Sequence, residues 1–305
     1  MKTALKSKAT AYIIAGIVAF VWASAFPAVR YVLQYYTPEA IMLFRFIVAS
    51  LVLLGYCAWK KIPPPKKKDF PMFFLGGFVG LFLYMWAFIT GTSFVSAGIS
   101  SFIIASAPIF TLILSILFLK EKASVLIWIG VLVGFGGIAI ISFTQAEGLQ
   151  LNIGVLILLV ASCLTSVFMI VQKHLLRTYT AIQCSAYSVG IATVFMCIFL
   201  PALIREFPHA PMSANLVIVY LGAFPAGMAY FLWNLALSKV EKTIYVTSFL
   251  YLIPFIASIL AFLWLGEEMP ALALLGGIVI IVGMVITNFM QKKSVAPAES
   301  KGDSV

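Results

Sequence analysis

The 305-residue chain is 63% hydrophobic and only 10% charged, so no soluble fold of its size could hide that much apolar surface and its solvent must be a bilayer. The net charge of +10 would suit nucleic acid, but 17 of the 20 Lys and Arg sit in alternate loops rather than along one face. No HExxH, GxSxG or phosphate-cradling GxxxxGKS/T run is present, and no two acids are buried together for acid–base work, so an intramembrane enzyme is disfavoured.

Ten apolar runs are each close to the ~20 residues that a spanning helix needs. They fall at about 11–33, 38–58, 71–91, 94–118, 124–144, 152–172, 180–204, 214–236, 243–265 and 270–290. The first follows Lys2, Lys6 and Lys8 and contains Ala23-Ser24-Ala25, the form of a signal-peptidase site. Ser24, Phe26, Val29 and Leu33 return at an offset of 142 as Ser166, Phe168, Val171 and Leu175, so this span has a counterpart and is expected to be retained. The second span opens at Pro38 and carries Arg45, the one charge well inside a span, about 10 Å along the helix at 1.5 Å per residue. Two readings of Arg45 stay open: it snorkels to an outer-leaflet phosphate, or it is an anchor or anion ligand inside the bundle.

Lys60 to Asp69 form a basic loop in which Pro63-Pro64-Pro65 forbids helix and predicts extended chain. The third span holds Gly76-x-x-x-Gly80 with Tyr84 and Trp86, and the fourth Ser100, Ser101, Ser106 and Pro108 and ends at Glu121. The fifth carries Gly130-x-x-x-Gly134 and Gly136-Gly137, small residues that let helix backbones approach. Intramolecular packing is the first reading of these glycines, and a face for a weak homodimer through the fifth and tenth spans the second. After a short linker at 145–150 the sixth span brings Ser162, Thr165 and Ser166, the eighth Tyr230, Trp233 and Asn234, and the ninth Thr247, Ser248, Tyr251 and Pro254 with Glu267 at its end. The four cysteines read as reduced, buried, small apolar residues, with no metal role and no cofactor.

The second five spans repeat the first five. Pro108 through Glu121 aligns without a gap on Pro254 through Glu267, and the same offset of 146 pairs Tyr84 with Tyr230, Leu126 with Leu272, Gly130 with Gly276 and Gly137 with Gly283. A duplicated unit with an odd number of spans enters the membrane in opposite senses. The fold class expected is therefore an all-α membrane protein of ten transmembrane helices in two inverted five-helix repeats. The first repeat covers 1–144, the second 145–291, and 292–305 form a disordered cytoplasmic tail. With the N-terminus inside, 17 Lys and Arg lie in inner segments and only Arg30 and Arg205 outside, which puts both termini in the cytoplasm. The inner basic loop is expected to meet anionic inner-leaflet lipid.

Matched prolines at 108 and 254 predict kinks at equivalent points of both halves, which would open a cavity at the bilayer centre. Around it the polar and aromatic mid-span residues become substrate-binding candidates: Trp22, Ser24, Tyr84, Trp86, Ser100, Ser166, Tyr230, Asn234 and Tyr251. Arg45, Pro108, Glu121, Pro254 and Glu267 are read as structural or gating residues. The few hydrogen-bonding groups point to a modest-sized, partly apolar solute.

At Trp22-Ala23-Ser24-Ala25-Phe26, at Pro38 with Arg45, and at the Pro108…Glu121 block with its copy, the chain resembles the ten-span EamA-type permeases of the drug/metabolite transporter superfamily. The resemblance runs from 11 to 290 and is most specific in the duplicated block. It implies a central cavity surrounded by spans 1–4 and 6–9, with spans 5 and 10 peripheral, and the export of amino acids or related metabolites through the plasma membrane, or the inner membrane of a Gram-negative cell. A multidrug or amphiphile exporter is the alternative. The four-span multidrug members rely on a membrane-embedded Glu in their first helix, and here that span has no carboxylate.

Overall fold

Hydrocarbon offers a backbone no hydrogen-bond partner, so each apolar run must satisfy its own N–H and C=O groups as helix. The computed structural model describes residues 2–95, 97–145, 153–265 and 271–289, and among them there are helices and no strands. The spans are α1 (Lys2–Val32), α2 (Pro38–Trp59), α3 (Lys67–Phe94), α4 (Ala97–Ile104 with Ala107–Leu119), α5 (Val125–Gln145), α6 (Ile153–Leu175), α7 (Ala181–His209), α8 (Met212–Ser238), α9 (Ile244–Trp264) and α10 (Ala271–Phe289). Seven are long and apolar enough to cross a bilayer; the other three, α4, α5 and α10, contribute shorter apolar helices. Together they form two five-helix repeats of opposite sense.

Local signals set the ends. Thr37 caps α2 by accepting from the Ala40 N–H, with Pro38 in the first turn, where no donor is lost. Thr180 and Gln183 form a reciprocal capping box that starts α7. The prolines at 63–65 lie in non-helical chain, as expected, and the Pro63 carbonyl accepts from the Gln183 side chain at 3.0 Å.

α5 packs against α10 through their glycines. A Cβ on Gly137 would sit 2.6 Å from the Gly276 carbonyl and 2.7 Å from the Ile280 nitrogen, while Gly130 faces Gly283 and Thr287. The contacts cross: Gly130 meets Gly283, the repeat partner of Gly137, and Gly137 meets Gly276, the repeat partner of Gly130. That reciprocity is what a two-fold relation between the halves produces. It also means that the glycine face proposed for a homodimer is occupied within one chain. Among the cysteines Cys57 and Cys184 are buried, but Cys197 is exposed, so the uniform burial expected of them does not hold there.

Both prolines mark a change of helix geometry. α4 is interrupted at Ala105-Ser106, just before Pro108, and α9 winds as a tighter 3-10 turn over Ser248–Tyr251, just before Pro254. The break in α4 is stitched by α6. Ser162 bonds Ser106 (2.8 Å) and donates to the Ile104 carbonyl (3.4 Å), and Ser166 donates to the Ala107 carbonyl at 2.9 Å. A second pair of irregularities was not expected. α3 is π-helical over Leu75–Leu83 and α8 over Gly222–Met228, segments that nearly coincide under the 146-residue offset. Tyr84 follows the first directly and Tyr230 the second by one residue.

Candidate functional site

The four irregular segments bring their flanking residues to one interior cavity. α1 supplies Trp22, Ala25 and Phe26, α2 supplies Arg45, and α3 supplies Tyr84, Met85 and Phe88. Ser101, Ile104 and Ala105 come from the broken α4, Thr165 and Met169 from α6, Tyr230 from α8, Leu250 from the turn in α9 and Ile253 from the helix just after it. Among the described residues neither α5 nor α10 contributes, as the resemblance implied; α7 contributes none either, because it is spent packing on α2 and the π segment of α3. The cavity offers about 60 Å³ to the centre of a water-sized sphere. At ~15 Å³ per water that is room for about four.

Its aromatic wall is held from behind. The Trp22 indole N–H donates to the carbonyl of Pro225 in the α8 π segment at 3.0 Å, and the Trp22 ring lies 5.6 Å from Tyr230 and 4.9 Å from Trp233. Phe168 meets Tyr230 edge-on at 5.4 Å, and Tyr84 stacks with Phe88 at 5.9 Å. Thr165 shares the cavity wall with Tyr84.

Among the described residues Arg45 is the only charged one on the wall. It is 3% exposed, so it does not snorkel; the reading that sent it to the lipid phosphates is corrected by its burial between the halves. Tyr84 and Tyr230 are its electrostatic neighbours, one from each repeat. Its Nε and Nη1 atoms are buried without a hydrogen-bond partner.

Of the nine substrate-binding candidates, the structure brings Trp22, Tyr84 and Tyr230 to the cavity, beside Arg45. The other six do not border it. Ser24 is bonded to the Val21 carbonyl at 2.8 Å and to Tyr220 at 2.5 Å, and Ser166 stitches the α4 break. Asn234 donates to Gln172 and Ser185 within the second repeat. Tyr251 reaches the Val131 carbonyl at 3.3 Å, toward α5. Ser100 is fully buried, and Trp86 is 44% exposed on the surface of the bundle. Polar mid-span residues on the wrong helix face bond to neighbouring helices instead of to a solute. Thr165 and Ser101 belonged to the same polar band and do line the cavity, while Phe26, Phe88 and Met169 carried no signal that separated them from core.

Pro108 and Pro254 stand at the two irregular points. The Glu121 carboxylate accepts from Thr243, from its N–H at 3.0 Å and its hydroxyl at 2.7 Å, tying the end of α4 to the start of α9. Glu267 lies outside the described residues. Other ties close the same end: Tyr179 donates to Asp69 at 2.6 Å and accepts from the Lys66 N–H at 3.0 Å. That bond to Asp69, ahead of burial, raises the Tyr179 hydroxyl above the usual tyrosine value. At the opposite end Glu206 accepts from the Thr37 N–H at 2.8 Å, and Tyr36 donates to Asn215. Burial first, then the Glu206 charge, raises the Tyr36 hydroxyl.

Ten helices in inverted halves, a cavity between them and irregular helices at the cavity wall define the class: a multi-pass membrane transporter. The chain belongs to the EamA-like transporter family, whose pattern matches it twice, over residues 9–143 and 152–289. It is 36% identical over 272 residues to the uncharacterized transporter YdfC of Bacillus subtilis, covering 89% of each chain. It is 34% identical over 267 residues to a probable terminal-alkyne amino-acid exporter of Streptantibioticus cattleyicolor, covering 88% of this chain and 89% of that one. A solved crystal structure shares the fold at a TM-score of 0.74, with 16% identity over 91% of this chain and 96% of the other.

Proposed function

We propose that this transporter exports small organic solutes, amino acids or related metabolites, by alternating access through the cavity between its repeats. The observation that carries the reading is that cavity: its walls come from both halves, and its two tyrosines are repeat partners. Rocking of one half against the other would expose the same residues to either side in turn. The amino-acid exporter among its relatives supports the solute class. Among the described residues no acid borders the cavity, which disfavours the cationic drugs of a multidrug exporter. Orientation follows from charge: the loops rich in Lys and Arg face the cytoplasm, both termini with them, and the membrane is the plasma membrane, or the inner membrane of a Gram-negative cell. Lys60 to Lys68 would then lie against anionic inner-leaflet lipid. The chain would work as a monomer or weak homodimer.

The test is counterflow. Proteoliposomes loaded with unlabelled amino acids and related metabolites, one at a time, are given the labelled compound outside. Accumulation that needs the internal load is expected for at least one of them. Liposomes that behave like protein-free controls across the whole set would sink the reading.

A further inference from the structure

A charge in hydrocarbon is costly, and proteins keep one there only with a partner or for a use. Arg45 has no such partner among the described residues. Its Nε and Nη1 are buried and unbonded, and no Asp or Glu stands on the cavity wall that it shares with Tyr84 and Tyr230. Nor does the scaffold common to both halves need it. Counted from the capping threonines Thr37 and Thr180, the eighth residue is Arg45 in α2 and Ser188 in α7. Ser188 is buried and simply accepts from Gln172 at 2.9 Å. The duplication thus holds a neutral, satisfied residue in one half and an unsatisfied cation in the other. An anion that enters the cavity would supply the missing partner.

One cation among apolar walls matches one negative charge; a phosphate dianion would bring a second with nothing to meet it. A carboxylate fits, because its oxygens accept directly from guanidinium N–H groups. Next to Arg45 lie the rings of Trp22, Phe26 and Phe88, a surface for an apolar substituent.

We propose that Arg45 is the carboxylate receptor of the transport site, so that the protein selects monocarboxylates with apolar side chains. Tyr84 and Tyr230 flank the bound carboxylate. The proposal rests on the reading above that this cavity is the transport site, and it names the substrate class.

The experiment compares acids with their amides. Purified protein is melted with leucine and phenylalanine, with the carboxylates of the same side chains that lack the amino group, 4-methylpentanoate and 3-phenylpropanoate, and with the neutral amides of those two, so that acid and amide differ only at the carboxyl group. At least one acid is expected to raise the melting temperature of the wild type while its amide does not. Arg45→Gln should weaken that response by about tenfold or more, the loss expected when a charged bidentate donor goes, and Arg45→Lys should keep part of it. Without ligand, Arg45→Gln should melt at or above the wild-type temperature, since the substitution removes an unpaired buried charge; a structural anchor would do the reverse. Equal stabilisation by acids and amides, no stabilisation by any acid, or a full acid response in Arg45→Gln would each overturn the proposal. Counterflow of the same compounds separates the two readings. Amide flux through both wild type and Arg45→Gln leaves the transport site standing and removes the carboxylate receptor. Absence of flux for every compound of the wider set removes the transport reading itself.

Discussion

Tyr84 and Tyr230 each present a ring to the cavity and a hydroxyl near Arg45, so their two contributions can be separated by substitution. Tyr84→Ala and Tyr230→Ala are each expected to lower transport by roughly tenfold, about 1.4 kcal/mol of lost interaction, with expression and melting little changed. Phe at either position keeps the ring, so transport that survives in Phe and fails in Ala assigns the effect to ring area. Unchanged kinetics in both Ala variants would take the pair out of the site. These tyrosines were legible in the sequence because the duplication preserved them mid-span. Arg45 was only half legible: distance from Pro38 gives depth in the bilayer but not the direction of the side chain, which packing against α7 and α8 decides. Ser24, Ser166 and Asn234 misled for a related reason. A hydroxyl or amide inside a helix advertises polarity, and the first claim on it is a neighbouring carbonyl or side chain.

Among the elements, the breaks in α4 and α9 could be anticipated because proline announces them. The π segments could not. Pro225 stands inside the one in α8, but Val79 occupies the equivalent place in α3; Gly76 and Gly222 do coincide, yet a glycine within a span signals close helix packing and not a π turn. What they share is a place in the repeat, and each shifts the register of its helix just before a cavity tyrosine, as π segments do at functional sites. Glu121 was expected to be positional, and its bonds say how: its carboxylate receives the N–H and hydroxyl of Thr243 where α9 begins, a helix end that favours negative charge. Glu121→Ala should cost about 1.5–3 kcal/mol, the range for hydrogen bonds to a charged group, read as a lower melting temperature in detergent. Glu121→Gln keeps an acceptor and should fall between. A melting curve for Glu121→Ala that superimposes on the wild type would mean that this tie does not hold α4 to α9.

For the whole molecule, loops assigned to one side by charge counting do meet one another: Lys66 and Asp69 with Tyr179 at one end, Thr37 with Glu206 at the other. Charge placement and hydrogen bonding are independent signals, and both were implicit in the alternation of spans. In a background cleared of its four cysteines, Pro64→Cys and His209→Cys should label from opposite sides of the membrane, Pro64→Cys from the cytoplasm; labelling of both from one side would break the inversion. Energy coupling is the most exposed consequence of the same architecture. A proton carrier must titrate while reachable from each side in turn. The ionisable groups on the cavity wall are Arg45, charged at any physiological pH, and tyrosines, whose ordinary pKa of about 10 is far from neutrality. Glu121 is engaged by Thr243 away from that wall, and the first helix has no acid to offer. Flux should therefore follow the solute gradient. Downhill uptake into proteoliposomes with equal pH on both sides should run at nearly the rate seen with an imposed proton gradient. Stimulation of about tenfold by that gradient, a difference of ~1.4 kcal/mol, lost in Glu267→Gln or in His174→Ala, the histidine in the last turn of α6, would defeat the idea and make that residue the coupling site.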